Sequence, residues 1–278
     1  MSMVSNATIV SCVIAMLFCI FLPPVIGLIY AKKNPGGRII SAWLLGAAGF
    51  FVTQMVIRVP IVTVLQMTPG FQNFILNNGF LYAFIMAFTA GLFELAGRFV
   101  VAKLMQKNLT FRRSFAAGLG HGGIEAMVIA GMSYLNNLLY IFMINAGTFD
   151  GLVAQAAQTG VDVSSLWLIK EQLTQYPPAM FLLGVYERIL AMTCHLAMSL
   201  LVCYGIRSGK PLKACLVCLG IHTLIDLSVG INMLTGKVLT QTAAYIIIYS
   251  ILTVAAIISV VIVRNIRGRW KETEVNYV

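Results

Sequence analysis

The sequence is short of charge. Lys, Arg, Asp and Glu make up 10% of its 278 residues, against about 25% in a soluble domain. Acids are scarcest: nine Asp+Glu stand against 19 Lys+Arg, and there are three His. So few charges cannot cover the surface of a soluble fold of this length, which excludes a soluble enzyme. Polar tracts are missing too. Hydrophobic residues reach 59% and the mean hydropathy is +0.90, which excludes a disordered chain. A disulfide framework is excluded because Cys12, Cys19, Cys194, Cys203, Cys215 and Cys218 all lie in apolar runs. Cys215-x-x-Cys218 has no second pair to complete a zinc site. There is no His-Glu-x-x-His, no Gly-x-Gly-Asp, no P-loop and no dinucleotide fingerprint. Gly131-Met132-Ser133-Tyr134 matches only half of a Gly-x-Ser-Gly serine motif.

What is present is a set of apolar runs, each near the 20 or so residues that cross a bilayer. They cover about 7–30, 39–66, 79–105, 113–144, 177–206, 211–233 and 241–263. This predicts an all-α polytopic bundle of seven transmembrane helices, forming a single integral membrane domain over 1–278. No Lys or Arg precedes the first run, so it reads as a retained helix and not as a signal peptide. The net charge of +10 does not imply nucleic acid, because the basic residues gather at the ends of the runs. Loops 1–2, 3–4 and 5–6 and the C-terminal tail hold 14 Lys/Arg, while the opposite side holds Lys170 and Lys237. That asymmetry predicts an N-out, C-in topology with loop 145–176 outside. Within that loop Leu166, Ile169 and Leu173 recur at helical spacing, as in a short interfacial helix.

Inside the runs lie residues that a bilayer penalises. All three histidines, His121, His195 and His222, are there, with four of the nine acids, Glu94, Glu125, Glu187 and Asp226. A charge at the bilayer centre costs at least about 2.5–3.5 kcal/mol, so these groups require a shared interior. The spacing agrees. Glu94 and Arg98, His121 and Glu125, and His222 and Asp226 are pairs four residues apart, each on one helix face. Glu187 and His195 share a stripe of the fifth span, where Arg188 is a neighbouring cation. The prediction is a polar cavity between spans 3 and 6. Four acids face three arginines, Arg58, Arg98 and Arg188. One surplus negative charge must be met by a proton on a carboxylate, a charged histidine or a bound cation. Gly118, Gly120, Gly122 and Gly123 surround His121, giving either open volume or tight helix packing.

The ordered set Glu94-x-x-x-Arg98, Gly118-Leu-Gly-His121-Gly-Gly-Ile-Glu125, His195 and His222-x-x-x-Asp226 resembles the YhfC family of intramembrane proteases. That family is related to PrsW, to the CAAX and ABI-type membrane proteases and to the scaffold subunit of gamma-secretase. In the wider superfamily the first motif is Glu-Glu-x-x-x-Arg; here Phe93 stands at the first glutamate. The resemblance implies a bacterial plasma-membrane endopeptidase acting on a membrane-embedded protein or peptide. Glu94, Glu125, His195, His222 and Asp226 would be catalytic, with Arg98, His121, Glu187 and Arg188 in support. Two versions stay open. In one, His195 and His222 hold a divalent metal such as zinc; in the other, a glutamate activates water without metal. A non-catalytic scaffold and a proton- or ion-coupled transporter are the other function classes compatible with these residues.

The topology is testable. Gln158→Cys in a cysteine-free background is expected to react with a membrane-impermeant maleimide added to intact cells. Labelling only after permeabilisation would invert the assignment.

Overall fold

A computed structural model describes residues 3–159, 162–230 and 239–275, and side chains as far as Trp270. Its elements are all helices. Among the described residues seven of them are long and apolar enough to cross a membrane. The first is α1 (Asn6–Lys33). The second is composite: α2 (Ile39–Phe50), a π-helical stretch over Phe51–Arg58, and α3 (Val59–Gln66). A short helix, α4 (Pro69–Asn77), precedes the third span, α5 (Gly79–Leu104). The fourth is again composite: α6 (Phe111–Glu125), a π-helical stretch over Ala126–Gly131, and α7 (Met132–Asn145). Two short helices follow, α8 (Phe149–Gln158) and α9 (Ser164–Gln175). Then come α10 (Ala179–Arg207), α11 (Pro211–Val229) and α12 (Gln241–Val275).

These bounds follow local chemistry. Gly209 takes a left-handed φ of 72°, which ends α10 with Lys210 N–H donating to Gly205 O. Pro211 then opens α11, where its missing N–H costs nothing. The helices expose large apolar side chains along their length, such as Leu17, Phe88, Leu224 and Ile257, as lipid-facing surfaces do. Two details differ from the sequence expectation. The segments after the second and fourth spans contain α4 and α8, which are too short to cross a bilayer. The last helix runs past 263 to Val275, because its basic end is helical without being apolar. The expected end of the sixth span at 233, and Lys237, lie outside the described residues.

The chain divides into two compact units, Met1–Pro23 with Ala126–Ile189, and Pro24–Glu125 with Leu190–Val278. In the first, Ile141, Ile144, Phe149, Val153 and Leu173 form an apolar cluster. Leu166 and Ile169 pack against it, so the periodic stripe read in the loop is the inner face of α9. Ser164 starts that helix by donating through its amide and its hydroxyl to the Asp162 carboxylate, each at 2.9 Å. Those bonds hold the Asp162 carboxyl below the usual carboxylate range. Lys170 pairs with Asp150 and lies over the rings of Phe149 and Trp167.

The second unit is packed through glycine. A Cβ on Gly46 of α2 would sit 1.9 Å from the carbonyl oxygen of Ala117 on α6, and one on Gly120 would sit 1.9 Å from that of Trp43. Gly97 of α5 meets α2 in the same way, 2.5 Å from Gly49 O. Backbones this close leave no room for any side chain. Gly118, Gly120 and Gly122 beside His121 therefore serve tight packing, not open volume. Gly120→Ala is expected to destabilise the protein by about 1–3 kcal/mol through overpacking, seen as a lowered unfolding midpoint in detergent. Gly220→Ala, which would meet nothing within 4 Å, is expected to leave the midpoint unchanged or slightly raised.

Candidate functional site

The polar residues of α5, α6, α10 and α11 meet around one guanidinium. Arg98 on α5 is 3% exposed. Its Nη2 donates to Glu94 Oε2 at 3.0 Å and to His195 Nδ1 at 2.6 Å. Its Nη1 reaches His222 Nδ1 at 3.5 Å. A guanidinium has no acceptor. Both imidazoles must therefore accept at Nδ1 and carry their proton at Nε2. Each Nε2 faces a carboxylate: His195 Nε2 is 2.6 Å from Glu125 Oε2, and His222 Nε2 is 3.1 Å from Asp226 Oδ2. Two arginine–histidine–carboxylate lines thus radiate from Arg98. One ends at Glu125, 8% exposed, and the other at the half-buried Asp226.

Glu94 closes the centre. Its Oε2 also accepts from His121 Nε2 at 3.1 Å, and its Oε1 accepts from Gln54 Nε2 at 2.8 Å. His121 stacks on His195, with centroids 5.5 Å apart, and meets the edge of Phe50. The glycines on neighbouring helices set these distances. A Cβ at Gly91 would lie 3.3 Å from His222 Cβ, and one at Gly122 would lie 3.0 Å from His195 Cβ. Helix α11 can approach α5, and α10 can approach α6, only because both positions are bare. The polar interior expected from the sequence is here a packed cluster.

Of the residues singled out from the sequence, Glu94, Arg98, His121, Glu125, His195, His222 and Asp226 come together. Glu187 and Arg188 belong to the first unit, where they pair with each other. Gln54 was missed. Its signal was a lone amide in an apolar run, four residues before Arg58. It is buried, lies in the π-helical stretch, and ties Glu94 to Arg58, whose Nη1 donates to Gln54 Oε1 at 3.4 Å. Arg58 also donates to Met86 O at 2.7 Å and to Thr89 Oγ1 at 3.3 Å. A π-helical turn that aims a polar side chain inward is a recurrent feature of functional sites. With Arg58 and Arg98 set against Glu94, Glu125 and Asp226, the surplus negative charge belongs to this cluster.

Glu94, His121 and His195 each offer a ligand atom, all within 4.8 Å of one another. One carboxylate and two imidazoles are a donor set suited to a catalytic zinc ion, and a divalent cation would meet the surplus charge. The donors therefore fit a metal. Arg98 occupies two of the same groups, Glu94 and His195, so guanidinium and cation compete for them. The sequence expectation paired His195 with His222; the geometry puts His121 in the donor set instead.

The fold and this cluster define a class: a seven-span membrane protein with a buried carboxylate–imidazole centre. The chain belongs to the YhfC intramembrane metalloprotease family, whose model matches residues 18–266. It is also similar to the uncharacterized membrane protein YhfC of Bacillus subtilis (strain 168), at 34% identity over 216 residues, 76% of this chain and 80% of the relative. It is an integral bacterial membrane protein. No solved structure shows a significant match.

Removing one partner of a buried ion pair costs about 3–5 kcal/mol, because the other charge is left uncompensated. Arg98→Met is expected to destabilise on that scale in detergent unfolding. Adding Glu94→Gln is expected to recover part of the loss. Additive losses in the double variant would mean that the two groups do not act as a pair.

Proposed function

We propose that this protein is an intramembrane endopeptidase, in which residues 1–278 act as one integral membrane domain, N-out and C-in. It would hydrolyse a peptide bond of a membrane-embedded protein or peptide, using water activated by a carboxylate and a histidine. The observation that carries this reading is the 2.6 Å approach of His195 Nε2 to Glu125 Oε2. Here a buried carboxylate lies at ion-pair distance from an imidazole whose other nitrogen is pinned by Arg98. The family name supports the same reaction class.

Glu94 and Glu125 are distinguished by their surroundings. Both oxygens of Glu94 already accept hydrogen bonds, from Gln54, Arg98 and His121. Glu94 and Arg98 are accordingly positioning residues. Glu125 ends α6 at the outer end of its relay and is the general base. It takes a proton from water as the water oxygen bonds to the carbonyl carbon. The proton then passes to the amide nitrogen as the C–N bond breaks. His195, held in the Nε2–H form, orients Glu125. His222 Nε2–H, backed by Asp226, is the donor available to the developing oxyanion. If a metal is bound, Glu94, His121 and His195 would hold it, and it would polarise the carbonyl and acidify its water.

Glu125→Gln keeps size and loses the base. Cleavage is expected to fall by about 10²–10⁴ while abundance stays near wild type. Quantitative mapping of new protein N-termini in membranes, comparing wild-type and E125Q cells at matched expression, reads this whatever the substrate is. Termini that depend on the protein and vanish in E125Q support the peptidase. One observation favours a non-catalytic scaffold: Gln54, Arg98 and His121 all bond the Glu94 carboxylate, as in a structural ion cluster. That reading predicts identical termini in both strains. For the metal, stripping purified protein with chelator and restoring zinc separates the two versions. Activity that survives stripping would end the metal-dependent one.

A further inference from the structure

At the basic end of the spans, away from the carboxylate cluster, lies a cavity of about 650 Å³. The ends of α1 and α12 and the start of α6 enclose it. Its walls include Tyr30, Arg112, Phe115, Arg264, Arg267 and Trp270. Three guanidiniums at one cavity repel each other unless an anion joins them. Among the described residues, none of Arg112, Arg264 and Arg267 has a carboxylate partner. Their side chains stand exposed at the mouth, while the aromatic floor is fixed. Tyr30 and Phe115 stack at 4.8 Å. Trp270 is 1% exposed, is met edge-on by Phe111, and has Arg207 over its ring at 5.5 Å.

We propose that this cavity binds the headgroup of an anionic phospholipid. Arginine matches phosphate in geometry as well as charge, through paired N–H donors. Basic pockets between membrane helices on the side that carries the excess Lys and Arg are where acidic lipid headgroups are taken up. The position argues for a lipid over a soluble anion. The cavity opens at the ends of spans, at headgroup level. Its wall joins cations to Val263, Phe115 and Trp270, the order in which a phospholipid presents phosphate, glycerol and first acyl carbons. Aromatic side chains with a polar edge, like Tyr30 and Trp270, favour that same layer. The site is separate from the proposed chemistry and does not depend on it.

The test uses the full-length protein in zwitterionic detergent, titrated with dihexanoyl phosphatidylglycerol, dihexanoyl phosphatidylcholine or inorganic phosphate. Binding is read as a saturable rise in the unfolding midpoint. The glycerol lipid is expected to raise it and the choline lipid to leave it unchanged. The double variant Arg264→Gln with Arg267→Gln is expected to need roughly 25-fold more phosphatidylglycerol, since each arginine near an acidic headgroup contributes about a factor of five. The pair Lys32→Gln with Lys33→Gln, exposed at the same end but outside the cavity, is expected to behave as wild type. Arg112→Gln provides a second lining variant should the double one melt early without lipid. Equal shifts with both lipids, equal weakening in the lysine pair, or unweakened binding in both lining variants would overturn the proposal. Inorganic phosphate saturating the site as tightly as phosphatidylglycerol would overturn it too, in favour of a soluble-anion site.

Discussion

A guanidinium cannot shed its proton under any condition a cell offers, and Arg98 sits deep among helices that face hydrocarbon. A charge in that position persists only when acceptors surround it. In this protein three do so, Glu94 on its own helix and the Nδ1 atoms of His195 and His222. Much of the second unit can be understood as meeting that demand. The imidazoles are turned so that Nε2 is the ring nitrogen nearest Glu125 in His195 and nearest Asp226 in His222. Their orientation, tautomer and order around the centre all follow from one donor that accepts nothing.

Bringing four helices to one guanidinium requires unusually close backbones, and glycine makes this possible. Gly91 and Gly122 admit the two imidazoles, while Gly46, Gly97 and Gly120 draw α2, α5 and α6 together. Association in lipid has no hydrophobic drive between helices, so it depends on such contact and on polar bonds. The cluster and the glycine seams therefore support each other. The seams set the distances at which the polar groups pair, and the pairs stabilise the seams. The π-helical stretch of the second span belongs to the same arrangement, since it carries Gln54 to Glu94.

Membership of the YhfC intramembrane metalloprotease family brings a metal into view, and the donors Glu94, His121 and His195 suit one. Two of these donors, Glu94 and His195, are also the acceptors of Arg98. A cation and a guanidinium are alternative answers to one electrostatic problem, a carboxylate-rich centre in a medium of low polarity. Which of them occupies the centre decides whether Glu94 acts as a ligand or as a counter-ion. It leaves Glu125, one relay further out, in the same relation to His195.

The seven spans and the polar inventory of the centre could be read from the sequence, because lipid penalises charge so heavily that both stand out one residue at a time. The i, i+4 pairs Glu94–Arg98, His121–Glu125 and His222–Asp226 lie within single helices, where 3.6 residues per turn fixes who shares a face. Relations between helices had no such signature. Periodicity does not record which neighbour a face meets, so nothing in the spacing separated the crowded Glu94 from the outlying Glu125. Nor did it separate Glu187, which pairs with Arg188, from the acids of the cluster. Gln54 was invisible for a related reason. An uncharged amide in an apolar run carries little penalty by itself, and its role depends on a π-helical turn that composition does not announce. The sequence by itself determined which residues needed burial and partners. Only the tertiary structure decided which partners they took, because that choice depends on backbone distances set by glycine contacts between helices far apart in the chain.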